Sequence, residues 1–246
     1  MSRPLVLLHG WGLTARVWEA LRAPMADVPV YAPDLPGHGD APAVGSANLA
    51  AWTDRLAAGL PDGATVCGWS LGALLALDLA ARHPRKVARL ALIGATPRFV
   101  AADDWPHALD AATVTAFRSA FATDPAAVLR RFVALQVMGD ARRRDVGAAL
   151  TAALSTMEPD PARITALADG LAILAGTDLR GTLPGIAQPA LLLHGEHDAL
   201  MPADAARWLA PRLPGARLEI MAHCGHAPFL SRPADCAALL ENFHRA

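Results

Sequence analysis

The sequence predicts an α/β protein: a mostly parallel sheet flanked by helices, built from residues 1–96 and 183–246, with a helical cap inserted over residues 97–182. Three observations predict it. Short apolar runs alternate with longer segments whose apolar residues recur at helical spacing, the pattern of a parallel sheet covered on both faces. From about Pro97 to Thr182 no strand is readable, and helical segments separated by proline and glycine follow one another instead. Between an apolar run and an apolar helical segment stands Gly68-Trp69-Ser70-Leu71-Gly72, the Gly-x-Ser-x-Gly pattern of a serine held at a sharp turn between strand and helix.

In chain order, residues 5–8 read as a buried strand running into His9-Gly10-Trp11-Gly12, a turn whose glycines allow close backbone approach. Residues 15–26 have helical spacing, and 28–33 read as a short strand. The loop 34–39 is rich in turn formers, and His38 in it reads as structural, because no acid stands where it could orient that ring. A helix over about 48–60 leads to a strand at 63–67, and the helix of residues 71–81 is closed by His83-Pro84. A further strand is expected at 88–94. Cap helices are expected near 111–122, 125–138, 142–156 and 161–175. Strands at 190–194 and 217–221 and a helix at about 233–244 complete the sheet domain.

A chain of 246 residues, 53% hydrophobic and 18% charged, can bury one large core, as a soluble globular protein does. The net charge of −1 offers no global field for nucleic acid or an anionic membrane, so neither is an expected partner. Cys67, Cys224 and Cys236 are an odd number in apolar settings, which favours a reducing compartment over a disulfide framework. The first apolar run breaks at His9-Gly10, too early for a signal-peptide core or a membrane span, so a cytoplasmic location is expected; the expected oligomeric state is a monomer.

Ser70 is the candidate nucleophile. With six serines and nineteen glycines in the chain, chance predicts only about 0.04 such patterns. Leu71 supplies a backbone N–H able to face a developing oxyanion. Asp198, past the strand at 190–194, is the candidate orienting acid, with Glu196 its rival in the same loop. His226, after Gly225 and ahead of the final helix, is preferred as the base over His223, which is expected to end the strand at 217–221. His223 and His226 stand three apart without a further ligand set, so no metal is expected, and no cofactor.

With these residues placed, the sequence resembles the α/β-hydrolases over nearly its whole length, and more closely the pimeloyl-carrier-protein methyl ester esterases of biotin synthesis. The close likeness rests on His9-Gly10-Trp11-Gly12-Leu13 with Val17-Trp18, the Ser70 turn, and His226-Ala227-Pro228-Phe229. In the cap it rests on Arg131-Phe132, Ala134-Leu135-Gln136, Met138-Gly139, Gly170-Leu171, Ile173-Leu174 and Asp178-Leu179-Arg180. The resemblance implies a Ser70, Asp198, His226 triad and an oxyanion hole from the Trp11 and Leu71 amides. It also implies an acyl site touched by Trp11, Phe132, Val133, Ala134, Leu135 and Gln136. The substrate implied is a pimeloyl methyl ester carried on acyl carrier protein. The family usually carries a hairpin ahead of the residue 5 strand, a difference expected to touch the sheet edge and not the chemistry.

Trp69, Phe132 and Phe229 are expected walls of an apolar channel that measures the acyl chain. Between Arg118 and Arg144 six arginines face two acids, a contrast with the chain's net charge that makes Arg131, Arg142 and Arg143 candidate contacts for the acidic carrier protein. The rival account is a solvated face whose arginines pair with Asp140 and Asp145. The rival activities are a generic small-ester esterase, a serine-triad C–C lyase, and a receptor that binds without turnover. A dehalogenase would need an aspartate where Ser70 stands.

Overall fold

The structure, a computed structural model, describes residues 3–25, 28–154 and 160–246. Strands β1 (Leu5–Leu8), β2 (Val30–Tyr31), β3 (Ala64–Trp69), β4 (Val87–Ile93), β5 (Ala190–Gly195) and β6 (Arg217–Met221) form one sheet in the order β2-β1-β3-β4-β5-β6, every neighbouring pair parallel. The chain leaves β1 in one direction to build β2 and then in the other to build β3. That reversal opens a crevice at the C-terminal ends of β1 and β3, where open parallel sheets bind ligands. The two segments that emerge there are His9–Gly12 and Ser70.

The strand expected at 28–33 narrows to Val30–Tyr31, because Pro29 and Pro33 have no N–H to give a ladder. The helical stretch expected at 15–26 is broken into a 3-10 turn (Ala15–Trp18), α1 (Glu19–Arg22) and a second 3-10 turn that contains Pro24, while its end at Ala26 lies outside the described residues. Next come α2 (Leu49–Gly59) and α3 (Leu71–Arg82). The span between β4 and β5 holds α4 (Ala111–Thr123), α5 (Pro125–Gln136), α6 (Arg143–Ala152) and α7 (Pro161–Gly176), where the cap is expected. The helix expected to run to Thr156 ends at Ala152, and the remainder of that expectation lies outside the described residues. After β5 come α8 (Ala203–Leu209), α9 (Pro228–Ser231) and α10 (Pro233–Arg245).

Sequence punctuation starts two helices of this span, α5 and α7. Asp124 and Asp160 each accept a backbone N–H of the first turn, from Ala127 and Ala162, and each is followed by a proline whose missing N–H costs nothing at a helix start. A cap of this kind contributes about 1 kcal/mol. The neck of the span is held by charge: Arg98 and Arg180 both reach Asp178, at 3.1 and 2.7 Å, and Arg180 also reaches Asp104 at 2.9 Å. The phrase Asp178-Leu179-Arg180 therefore works as a clasp between the two ends of the span.

Side chains alternate along β1, so Val6 and Leu8 enter one apolar cluster and Leu5 and Leu7 another on the opposite face. The first cluster takes in α3 and the inner faces of α4, α5 and α7. The second takes in Trp18, Trp69, Phe229 and the apolar side of α6.

Candidate active site

Ser70 sits at φ 58° and ψ −117°, a conformation that a non-glycine residue holds only under constraint. The constraint comes from both sides. Its N–H donates to the Ile93 carbonyl (3.1 Å), and a Cβ on Gly68 or Gly72 would come within 2.2 Å of the Gly72 or Leu8 carbonyl oxygen. The two glycines of the pattern are thus required for packing. Leu71 opens α3, so its N–H has no carbonyl partner one turn back within the helix.

Asp198 lies just beyond β5 and His226 beyond β6, on the same sheet edge as Ser70. His226 Nδ1 stands 2.7 Å from Asp198 Oδ2, both side chains sealed from solvent. The other carboxylate oxygen accepts the Leu200 and Met201 N–H groups at 3.0 and 2.9 Å. Burial alone would push the Asp198 carboxyl up, but the charge of His226 and hydrogen bonds from His194 and His226 outweigh it and hold it well below the usual carboxylate range. A carboxylate facing Nδ1 keeps the proton there, which leaves Nε2 as an acceptor. That Nε2 is buried and has no hydrogen-bond partner among the described residues.

His226 is gripped from several directions. Its N–H donates to the Gln136 carbonyl (3.0 Å), its carbonyl accepts Trp69 Nε1 (2.9 Å), and a Cβ on Gly94 would sit 3.0 Å from its Cε1. Beneath the loop, the buried Asp140 accepts the Gly225 N–H (2.8 Å), Ser231 Oγ (2.9 Å) and the Arg142 N–H (2.7 Å). Sequence reasoning missed Asp140 as a support of this loop, since it lies 85 positions from Gly225. It also missed His194, whose Nε2 donates to the Met201 carbonyl (2.6 Å) and lies 3.3 Å from Asp198 Oδ2. Its place four positions before Asp198, at the end of a strand, was the available signal.

The rivals stand elsewhere. Glu196 is exposed and accepts the His223 N–H at 3.0 Å. His223 does not end β6, which stops at Met221; it lies exposed in the following turn at φ 60°.

The His9–Gly12 loop is pinned beside the serine. A Cβ on Gly10 would lie 3.4 Å from Ser70 Cβ. His9 Nε2 accepts the Leu35 N–H (2.9 Å) and His38 Nε2 accepts the Gly12 N–H (3.1 Å), while their Nδ1 atoms donate to the Gly10 and Pro36 carbonyls. Both rings must be neutral to do this. Burial pushes His9 down to about 4 and His38 to about 3. The Trp11 ring packs edge-on against Phe117, Phe121 and Phe132, and its Nε1 donates to the Leu167 carbonyl (2.7 Å). Gly170 is required beneath it, since a Cβ there would come 2.8 Å from Trp11 Cδ1.

Phe132 and Leu135 line an apolar cavity of about 50 Å³ with Phe99, Phe117, Leu171 and Leu200. The rest of the run 132–136 diverges, as a helix must: Val133 turns into the opposite apolar cluster, Ala134 is exposed, and Gln136 is buried with neither amide atom hydrogen-bonded. Trp69 and Phe229, expected as channel walls, instead pack on each other and on Trp18 in the cluster across the sheet. Strand alternation sends Trp69 to that face. Arg131 and Arg143 are exposed and form no ion pair among the described residues, whereas Arg142 is tied to Asp145 (3.0 Å) and to the Ser231 carbonyl (3.1 Å). The buried Asp140 pairs with no arginine side chain among the described residues.

A family profile for the alpha/beta hydrolase fold matches residues 3–233. The pimeloyl-[acyl-carrier protein] methyl ester esterase of Aromatoleum aromaticum is 58% identical, with 100% of both chains covered. The protein of the same name from Stenotrophomonas maltophilia is 42% identical over 97% of this chain and 92% of that one. Among solved structures, an esterase from Exiguobacterium antarcticum superposes with a TM-score of 0.86 at 22% identity, over 100% of this chain and 92% of that one, a likeness of fold. No helix among the described residues is long and apolar enough to cross a membrane. By this profile and this full-length identity, the chain belongs to the alpha/beta hydrolases and, within them, to the family of the pimeloyl-[acyl-carrier protein] methyl ester esterases.

Proposed function

We propose that this protein hydrolyses the methyl ester of a pimeloyl group carried on acyl carrier protein, releasing methanol in a step of biotin synthesis. The observation that carries the substrate is the 58% identity over the whole of both chains. A serine-triad mechanism accounts for this reaction. Ser70 Oγ attacks the ester carbonyl as His226 Nε2 takes its proton, and Asp198 stabilises the resulting imidazolium through Nδ1. The Trp11 and Leu71 amides receive the oxyanion. His226 returns the proton to the departing methoxide, giving methanol and an acyl-Ser70. Water, deprotonated by His226, then attacks the acyl carbonyl, and Ser70 leaves with that proton.

The Gln136 amide is buried without a hydrogen-bond partner among the described residues, and its backbone carbonyl holds the His226 N–H, so it is a candidate polar contact for the ester. The cavity beside Phe132 holds little more than one or two water-sized groups, so a longer acyl chain requires α4, α5 and α7 to part. Arg131 and Arg143, exposed and unpaired among the described residues, would meet the acidic carrier protein; Arg142 is already committed to Asp145 and Ser231. The test is kcat/KM on pimeloyl-carrier-protein methyl ester beside that on short free esters. A preference for the former is expected. A preference for the free esters would overturn the substrate assignment and leave the triad standing.

A further inference from the structure

We propose that Glu196, His197 and His223 form a surface site for a divalent transition-metal cation of the zinc, nickel or copper class. His223 and His226, three apart in the sequence, do not make one, because His226 is buried against Asp198. Folding brings a different set together. One ligand atom from each of Glu196, His197 and His223 lies within 4.8 Å of the others, and all three residues are exposed. It is the one such group of three among the described residues.

The donor set and its spacing suit such an ion. Two imidazole nitrogens and a carboxylate are borderline ligands that zinc, nickel and copper accept and that calcium or magnesium do not favour. His197 Nε2 stands 3.7 Å from Glu196 Oε2, and the rings of His197 and His223 are 6.1 Å apart, centre to centre. Two imidazoles bound to one tetrahedral zinc at about 2.0–2.1 Å place their ring centres roughly 5 Å apart. Closing the difference takes a small rotation of two exposed side chains, and a water or outside ligand would complete the shell.

Backbone contacts hold the three residues ready. The Glu196 N–H donates to the Met221 carbonyl (3.0 Å), the His197 N–H to the Cys224 carbonyl (2.9 Å), and the His223 N–H to Glu196 Oε2 (3.0 Å). The His223 carbonyl accepts the Ala141 N–H (2.9 Å), which steadies this residue at φ 60°, an uncommon backbone conformation. The chain of Gly139 seats on His197, since a Cβ there would come 2.7 Å from His197 Cβ. Two half-buried histidines have different partners: His83 meets Asp54 at 2.7 Å, and His107 packs on Trp105. An ion at the site would join the loop that carries Asp198 to the loop that carries His226 from outside, without touching either side chain.

The test titrates the chelator-treated, full-length protein with zinc chloride in competition with a chromophoric chelator, and follows thermal unfolding alongside. One equivalent bound with micromolar affinity is expected, with the midpoint raised by about 5–10 °C at a hundredfold excess over Kd. His197→Gln and His223→Asn should each weaken binding by about tenfold or more, asparagine being chosen because it tolerates the left-handed backbone. Both metal-free variants should keep wild-type activity on a small ester, which verifies that they fold. Nitrogen NMR of the wild-type histidines gives a readout that needs no variant: zinc should shift the rings of His197 and His223 and leave His83 unmoved. Equal binding in wild type and both variants, which would mean an adventitious ion only, or ring shifts confined to other histidines, would overturn the proposal, as would no saturable binding below millimolar zinc.

Discussion

His226 and Asp198 share a 2.7 Å contact in a site closed to water, and the second oxygen of the same carboxylate is held by the Leu200 and Met201 amides. The carboxylate cannot rotate away from the imidazole, so it sets which ring nitrogen carries the proton. Asp198→Asn would present a donor to Nδ1 and favour the tautomer with Nε2 protonated, useless as a base. A loss of roughly 10⁴-fold in kcat is expected, with Ser70→Ala at least as severe and substrate still bound. Steady-state kinetics on a free methyl ester check both. A Ser70→Ala variant retaining more than about a tenth of wild-type kcat would falsify the nucleophile assignment.

The buried Asp140 carboxylate accepts three protein hydrogen bonds, and two of them come from the loop and helix on either side of His226. Asp140→Ala strands the Gly225 N–H and loosens the loop. The expected cost is roughly 2–4 kcal/mol, a fall in Tm of about 4–12 °C, together with a lower kcat at nearly unchanged KM. Calorimetry and kinetics on the same preparation separate the two effects. If Tm falls while kcat holds, Asp140 supports the fold and has no part in placing the base.

His9 and His38 predict how stability depends on pH. Their folded values, about 4 and about 3, lie below the ordinary 6.5, so between these limits the unfolded chain binds more protons. Their contribution is complete above pH 6.5, falls as pH drops toward 4 for His9 and 3 for His38, and levels off below. The slope for the pair is at most roughly 2.7 kcal/mol per pH unit. Urea unfolding at pH 7, 6 and 5 should trace it, and His38→Gln should flatten it. A stability independent of pH over that interval would contradict the buried, neutral rings.

Arg131 and Arg143 differ from Arg142 in what they hold. Replacing the first two by glutamate should raise KM for the carrier-protein substrate by roughly tenfold at low salt, fading as salt rises, with little change for a free methyl ester. Arg142→Glu should also lower Tm, since it gives up Asp145 and the Ser231 carbonyl. A salt series on both substrates decides the matter: equal weakening on both would point to a damaged cap.

Chemistry that is local along the chain can be read without the fold. The Ser70 turn is one, because glycines at 68 and 72 and an apolar run on either side make the strained serine possible within a few residues. The helix starts at Asp124-Pro125 and Asp160-Pro161, and the alternation that gives six parallel strands, are others of this kind. What depends on which face a side chain takes, or on a partner far along the chain, required the tertiary structure. Trp69 and Phe229 are large and apolar in any reading, but only strand parity and the packing of α9 turn them away from the cavity beside Phe132. Asp140 beneath Gly225, and Glu196 beside His197 and His223, come together because β5 and β6 are adjacent and the α5–α6 loop folds over their ends, an adjacency that no spacing in the sequence encodes.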